Sequence, residues 1–331
     1  MLGWAGGLLI VLAVSLVAAV AVGPADISPG DVLGSLLHHL GLGPDPLTAL
    51  RDAIVWQGRA PRALTAAAVG AGLAMCGAVM QGLTRNPLAD PYLLGVSSGA
   101  GLGAVAVLVL GATILLPVAA FGGALLALAG TLALAGASGR FTPARTVLAG
   151  LAVAQACAAA TSFVIFWSAT GDSYREILSW LLGSVAGADW ETVAISAGAL
   201  AVGGPALLGA SRTLDAFTFG DVAASALGVD VTRARRGLFV MVALLTGALV
   251  SVSGAIGFVG LVVPHAARLV VGSRHHRVLA VSAPAGAILL LWADTAARTV
   301  FEPRELPVGI LTAALGAPVF AILLRRGRVS G

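Results

Sequence analysis

Residues able to do chemistry are few in this sequence, and their types exclude more than they suggest. There is no His-Glu-x-x-His pair, no Gly-x-Ser-x-Gly elbow and no pair of carboxylates inside an apolar stretch. All 19 basic residues are arginines. Without lysine there is no P-loop amine, no Schiff base and no lysine general base, so any nucleotide hydrolysis belongs to another chain. Cys76 and Cys157 lie far apart in apolar stretches without companion ligands, which reads as two buried thiols and not as a metal site or disulfide. The formal charge of +4 is spread through short loops and forms no basic face, so nucleic acid is not an expected partner.

Near the centres of the apolar stretches the polar side chains are Gln81, Gln155, His265 and small hydroxyls. Ionisable groups at such depth are costly and mark function where they occur. Asp294 is the acid closest to such an interior, and Arg298 four residues later reads as its ordinary helical partner. An ion-coupled secondary carrier calls for a buried acid, and this pattern argues against one. For Gln81 and Gln155, lining a path and bonding helix to helix both stand open. His265 directly follows Pro264 and is expected to satisfy backbone freed by the proline.

The elements that position these side chains are dictated by composition. With 58% hydrophobic and 10% charged residues over 331 positions, the chain has far more apolar surface than one aqueous core can hide, so lipid is its solvent. A helical span needs about 20 apolar residues. Such stretches fall near 3–23, 61–83, 92–111, 114–138, 143–167, 191–211, 236–252, 256–272, 277–298 and 307–325. The expectation is an all-α polytopic membrane protein, one domain over 1–331 with ten transmembrane helices. The first apolar run, Leu2–Val22, is longer than a signal-peptide core and has no basic residue before it, so it is read as a retained span. Thirteen arginines, Arg140, Arg326 and Arg328 among them, fall on one side and six on the other, which puts both termini in the cytoplasm.

Three segments between spans stand out. Residues 24–60 form an outer loop in which His38 and His39 read as solvated. In 174–190 the apolar run Ile177–Leu182 is too short to cross and should lie at the interface or dip in as a re-entrant helix. Within 213–235, Asp221 reads as the N-cap of a short helix closed by Gly228. Residues 251–257 read as a tight outer turn between the seventh and eighth spans.

The run from Arg85 to Ala100, Arg-Asn-Pro-Leu-Ala-Asp-Pro-Tyr-Leu-Leu-Gly-Val-Ser-Ser-Gly-Ala, resembles the permease family of type II ABC importers for haem, iron-siderophores and vitamin B12. The resemblance continues through Trp56–Arg62, Ser179–Gly187, Phe219–Val229, Gly257–Arg268 and Glu305–Phe320. It implies a permease in a bacterial inner membrane that pairs with a second copy of itself, two cytoplasmic ATPase subunits and one periplasmic substrate-binding protein. It also implies a chain that is no enzyme and binds no cofactor, with ATP and Mg on the ATPase. Haem is the preferred cargo, with siderophore or cobalamin as alternatives.

Residue by residue, Asp221, Val222, Ala223, Ala224, Ser225, Ala226, Leu227 and Gly228 match the family's ATPase-coupling helix, with Asp221 where Glu is common. Arg59, Arg62 and Arg298 match outer arginines that meet acids of the binding protein. Asn86 and Leu88 match an inner gate and Thr142 a second one. Segment 174–188 matches a periplasmic gate helix whose Arg175 would meet an anionic group of the substrate. Gln155 remains a path candidate.

Overall fold

We describe the protein from a computed structural model covering residues 2–44, 47–112, 116–137, 142–168, 171–301 and 304–325. Arg140, Arg326 and Arg328 of the charge count lie outside these residues, as do the edges 114 and 138 of the fourth expected span. Helix α1 (Leu2–Ala21) leads through α2 (Pro29–His39) and α3 (Ala49–Ala53) into a π-helical turn, Ile54–Arg59, and on without a break into α4 (Ala60–Thr84). A 3-10 turn at Pro91–Leu94 precedes α5 (Val96–Val109), α6 (Leu116–Gly136), α7 (Pro143–Ser168), α8 (Gly171–Leu182) and α9 (Trp190–Gly209). Two short helices, α10 (Ser211–Thr218) and α11 (Asp221–Ala226), lead into α12 (Val231–Ser253), α13 (Val259–Val271), α14 (His275–Thr299) and α15 (Val308–Arg325). No strand occurs among the described residues.

Among the described residues each of the ten apolar stretches holds a helix, the one at 256–272 only from Val259. Among the described residues seven helices are long and apolar enough to cross a bilayer, and the shorter apolar ones are α5, α13 and the described part of α15. The segment 24–60 is largely helical. Its His39 is exposed, as expected, and is also partnered: the ring stacks on Trp56 with centroids 4.0 Å apart and meets Asp52 at 2.9 Å.

Helix α4 sits at the centre, packed against α14, α9, α13 and α12, while α1, α7 and α9 leave most of their surface bare. Small residues make this possible. A Cβ added at Gly77 would lie 1.9 Å from the Gly260 carbonyl oxygen, and one at Gly70 would lie 2.3 Å from that of Gly286. Without side chains there, α13 and α14 lie directly on the α4 backbone, the close packing that replaces hydrophobic attraction between helices in lipid. Gly99 and Gly123 repeat the arrangement between α5 and α6.

The turn read at 251–257 takes another form. Helix α12 continues to Ser253, and the chain re-enters helix only at Val259. Between them Ile256 is buried, its N–H donating to the Tyr92 hydroxyl at 3.0 Å and its carbonyl accepting from it at 2.9 Å. Ser253 accepts from the Ser184 N–H at 2.8 Å. The break is therefore an internal joint whose freed backbone groups are satisfied by neighbouring segments, as burial away from water requires.

Candidate functional site

The ends of the bundle are set by α4 and α14, which run antiparallel. The start of α4 meets the end of α14 through Arg62 and Asp294, and its end meets the start of α14 through Gly82 and His275. Helices α10 and α11 belong to the second of these ends, beside Arg85.

The α10–α11 unit projects an apolar tip. Phe219, Val222 and Leu227 are 77%, 86% and 69% exposed, while Ala224 is fully buried beneath them. Asp221 is the first residue of α11 and not its N-cap, a place taken by Gly220 at φ +94°. Its carboxylate has another commitment: Arg235 of α12 donates Nη2 to Oδ1 at 2.6 Å and Nη1 to Oδ2 at 3.1 Å. The Arg235 guanidinium, on a residue 2% exposed, also lies over the Phe217 ring at 5.2 Å. One arginine thus fastens α10, α11 and α12 together. Hydrogen bonds from Arg235 hold the Asp221 carboxyl below its usual 3.8, against the opposing effect of burial. A depressed carboxylate contributes stability that is complete above its unfolded pKa and is lost as pH falls through the folded one. The protection of α11 amides, exchange relative to the intrinsic rate at each pH, should accordingly stay high at neutral pH and fall only below pH 3.8; in Asp221→Asn it should be low on both sides of that pH.

Deeper on the same end, Asp215 of α10 accepts two hydrogen bonds on Oδ1 from His275, one from its backbone N–H at 2.9 Å and one from ring Nδ1 at 2.8 Å. Helix α4 closes at Arg85, whose φ of +49° turns the chain into Asn86. Asn86 is exposed and its Oδ1 accepts from the Leu88 N–H at 2.9 Å, so the two expected gate residues form one compact turn. Thr142 caps α7, its Oγ1 accepting from the Arg145 N–H at 3.4 Å. Gln155 shares an exposed face of α7 with Leu148 and Leu151, whereas Gln81 is buried and donates Nε2 to the carbonyls of Gly260 and Leu261. Arg268 of α13 in turn donates to Gln81 Oε1, so Gln81 bonds helix to helix. The Nε2 of His265 is buried without a partner, so its expected bond to backbone freed by Pro264 is not made through that atom.

At the opposite end, Arg59, Arg62, Arg298 and Glu305 line one cavity of about 590 Å³. All three arginines bond inward. Arg59 donates Nη1 to the carbonyls of Val20 and Ala21 at 3.1 and 3.0 Å, and Arg298 donates to that of Ala19, together closing the C-terminal end of α1. Arg62 grips Asp294 with Nε and Nη2 at 2.8 and 3.0 Å and Glu305 with Nη1 at 2.7 Å. Asp294 therefore bonds across helices to Arg62 instead of along α14 to Arg298. Beside α8 lies a second cavity of about 590 Å³, lined by Glu176, Trp180, Asp189 and Glu191 among others. Arg175 is exposed on α8 and is not among its lining residues.

Sequence reading missed Asp215, His275, Arg235, Tyr92 and Glu305. Arg235 left a sign as one of three arginines following the short helix, and Tyr92 and Glu305 lay within stretches that carry the resemblance; Asp215 and His275 left none.

A multi-pass bundle of apolar helices with an apolar tip at one end and a cluster of arginines and acids at the other has the architecture of a transport permease. The chain belongs to the FecCD transport family, whose sequence profile matches residues 10–326. It is 46% identical over 270 residues to the cobalamin import system permease protein BtuC of Halobacterium salinarum, covering 81% of this chain and 72% of that one. With the hemin transport system permease protein HmuU of Yersinia pestis it shares 40% identity over 292 residues, 85% of this chain and 86% of that. Its fold matches a solved inward-facing metal-chelate type ABC transporter with a TM-score of 0.84 at 31% identity, covering 97% and 98% of the two chains.

Proposed function

We propose that this chain is the homodimeric membrane subunit of an ATP-driven importer that carries a tetrapyrrole-type metal chelate across a bacterial inner membrane. Both termini are cytoplasmic in this reading, and a periplasmic binding protein delivers the cargo. The observation that carries it is the α10–α11 tip: a short helix with bare apolar residues, braced from behind by a buried arginine, on a chain with no lysine of its own for nucleotide chemistry. Such a tip fits a groove on a partner ATPase and is stiff enough to pass on its movement. The bare face of α7 with Gln155 suits a second copy and the shared path, and Asn86, Leu88 and Thr142 suit gates at the coupling end.

Two observations order the cargoes. The cavity beside the gate helix α8 is lined by three carboxylates and lacks Arg175, which disfavours haem with its two carboxylates and favours a corrinoid with an amide periphery. The identity to the Halobacterium cobalamin permease points the same way. Vesicles holding this chain with its ATPase and binding protein should accumulate cyanocobalamin with ATP, ahead of haemin and ferric citrate. Accumulation driven by an ion gradient alone would reject the importer reading, and preference for haemin would reverse the order of cargoes.

A further inference from the structure

The exposed tip accounts for where a push would enter, and Arg235 for how it reaches α12. Helix α4, which carries the gate turn Asn86–Leu88 just past its end, has no side chain bonded to α11 among the interactions described above. Besides Arg85, which follows its last residue and lies beside Gly220, its link to the tip runs through α10. Asp215 lies on α10, separated from α11 by Phe219 and Gly220, and its single Oδ1 takes both the backbone N–H and the ring Nδ1 of His275. Because a carboxylate can only accept, the proton of this bond sits on Nδ1 and the ring orientation is fixed. His275 is 4% exposed. Its other nitrogen, Nε2, faces Gly82, where an added Cβ would come within 2.6 Å of it. Gly82 precedes the gate turn by one helical turn of α4.

The geometry points to a second transmission contact: Asp215 and His275 carry displacement of the coupling unit to the starts of α14 and the end of α4, beside the gate. This rests on the importer reading of the α10–α11 tip. A hydrogen-bonded, buried imidazole pressed against a glycine transmits a shift of α10 because it has no free rotamer to absorb it, and packed contacts of this kind switch between discrete arrangements. Asp215 and His275 are positioning residues, since each acts through the other and through the Gly82 backbone.

The test measures cargo taken up per ATP hydrolysed in the reconstituted complex, using whichever of cyanocobalamin and haemin the wild-type chain accumulates. In Asp215→Asn and His275→Ala the ratio should fall roughly tenfold, a size within reach of one coupling residue, while complex assembly and ATP hydrolysis stay within about twofold. A merely structural role would lower assembly, hydrolysis and uptake together and leave the ratio unchanged, which overturns the proposal. If either variant fails to assemble, Gly82→Ala decides: its one methyl crowds the His275 ring, and an unchanged ratio there also overturns the proposal. A wild-type chain that shows no ATP-dependent uptake at all would reject the importer reading itself, whereas a transporting wild type with unaffected variants rejects only this contact. A readout without cargo runs alongside. With Cys157→Ser as background, ATP binding should change thiol labelling of Asn86→Cys, and His275→Ala should remove that change; labelling that responds equally in both would overturn the contact.

Discussion

A chain in which Val222–Leu227 is replaced by a Gly/Ser linker, with Asp221 kept, is expected to fold, to bind its partners weakly and to lose ATP-driven accumulation. The segment has little interior to lose, since Ala224 is its one fully buried side chain, and keeping Asp221 leaves Arg235 its carboxylate. What disappears is the apolar tip and its stiffness. Coupling between sites is commonly worth roughly 1–3 kcal/mol, so removing it should cut uptake per ATP by about 5- to 150-fold. A flexible linker spreads a displacement over many backbone torsions instead of passing it on. Uptake at wild-type level from the linker variant, measured in the same vesicles, would show that the tip is not where the push enters.

How much of this was legible in the sequence follows from what lipid does to patterning. Apolar length placed each long helix within a few residues, and Gly228 marked the end of the short helix, whose cap was read one residue late, at Asp221 instead of Gly220. Which face of a helix meets which neighbour was not legible. A helix solvated by lipid is apolar all round, so the amphipathic stripe that reveals packing in water is missing. The contacts that matter are therefore glycine to backbone, as at Gly77 and Gly260, or pairs distant in sequence, as Asp215 with His275 and Tyr92 with Ile256. Local spacing even misled: Asp294 and Arg298 have the right interval for a helical pair, yet a better-placed guanidinium arrives from α4. The motif from Arg85 to Ala100 was conspicuous as a string, and its physical reason is spatial. Asn86 closes the turn that follows α4, Asp90 caps the turn that presents Tyr92, and Tyr92 holds the joint between α12 and α13.

Asp294→Ala should be strongly destabilising. Both side chains of the pair are withdrawn from water, Asp294 at 4% and Arg62 at 10% side-chain exposure, and the two bonds from Nε and Nη2 form a planar fork. Removing the acid leaves a guanidinium, which cannot shed its proton, with Glu305 as its remaining carboxylate. Breaking a buried pair on one side costs about 3–5 kcal/mol, whereas replacing both partners by apolar residues of similar volume is often close to neutral. The double variant Arg62→Met with Asp294→Leu should therefore recover most of the thermal stability lost in Asp294→Ala, read from melting of the detergent-solubilised chain. The same pair of variants separates two roles for Arg62. If it serves only the helix contact, the double variant should bind the periplasmic protein as the wild type does; if it also meets that protein's acids, the double variant should be stable and bind poorly. Glu305 makes the second outcome physically reasonable, because it is half exposed and holds Arg62 by one nitrogen alone, so an incoming carboxylate can displace it without breaking the fork to Asp294. An Asp294→Ala chain that melts like the wild type would mean the buried pair contributes nothing to holding α4 against α14.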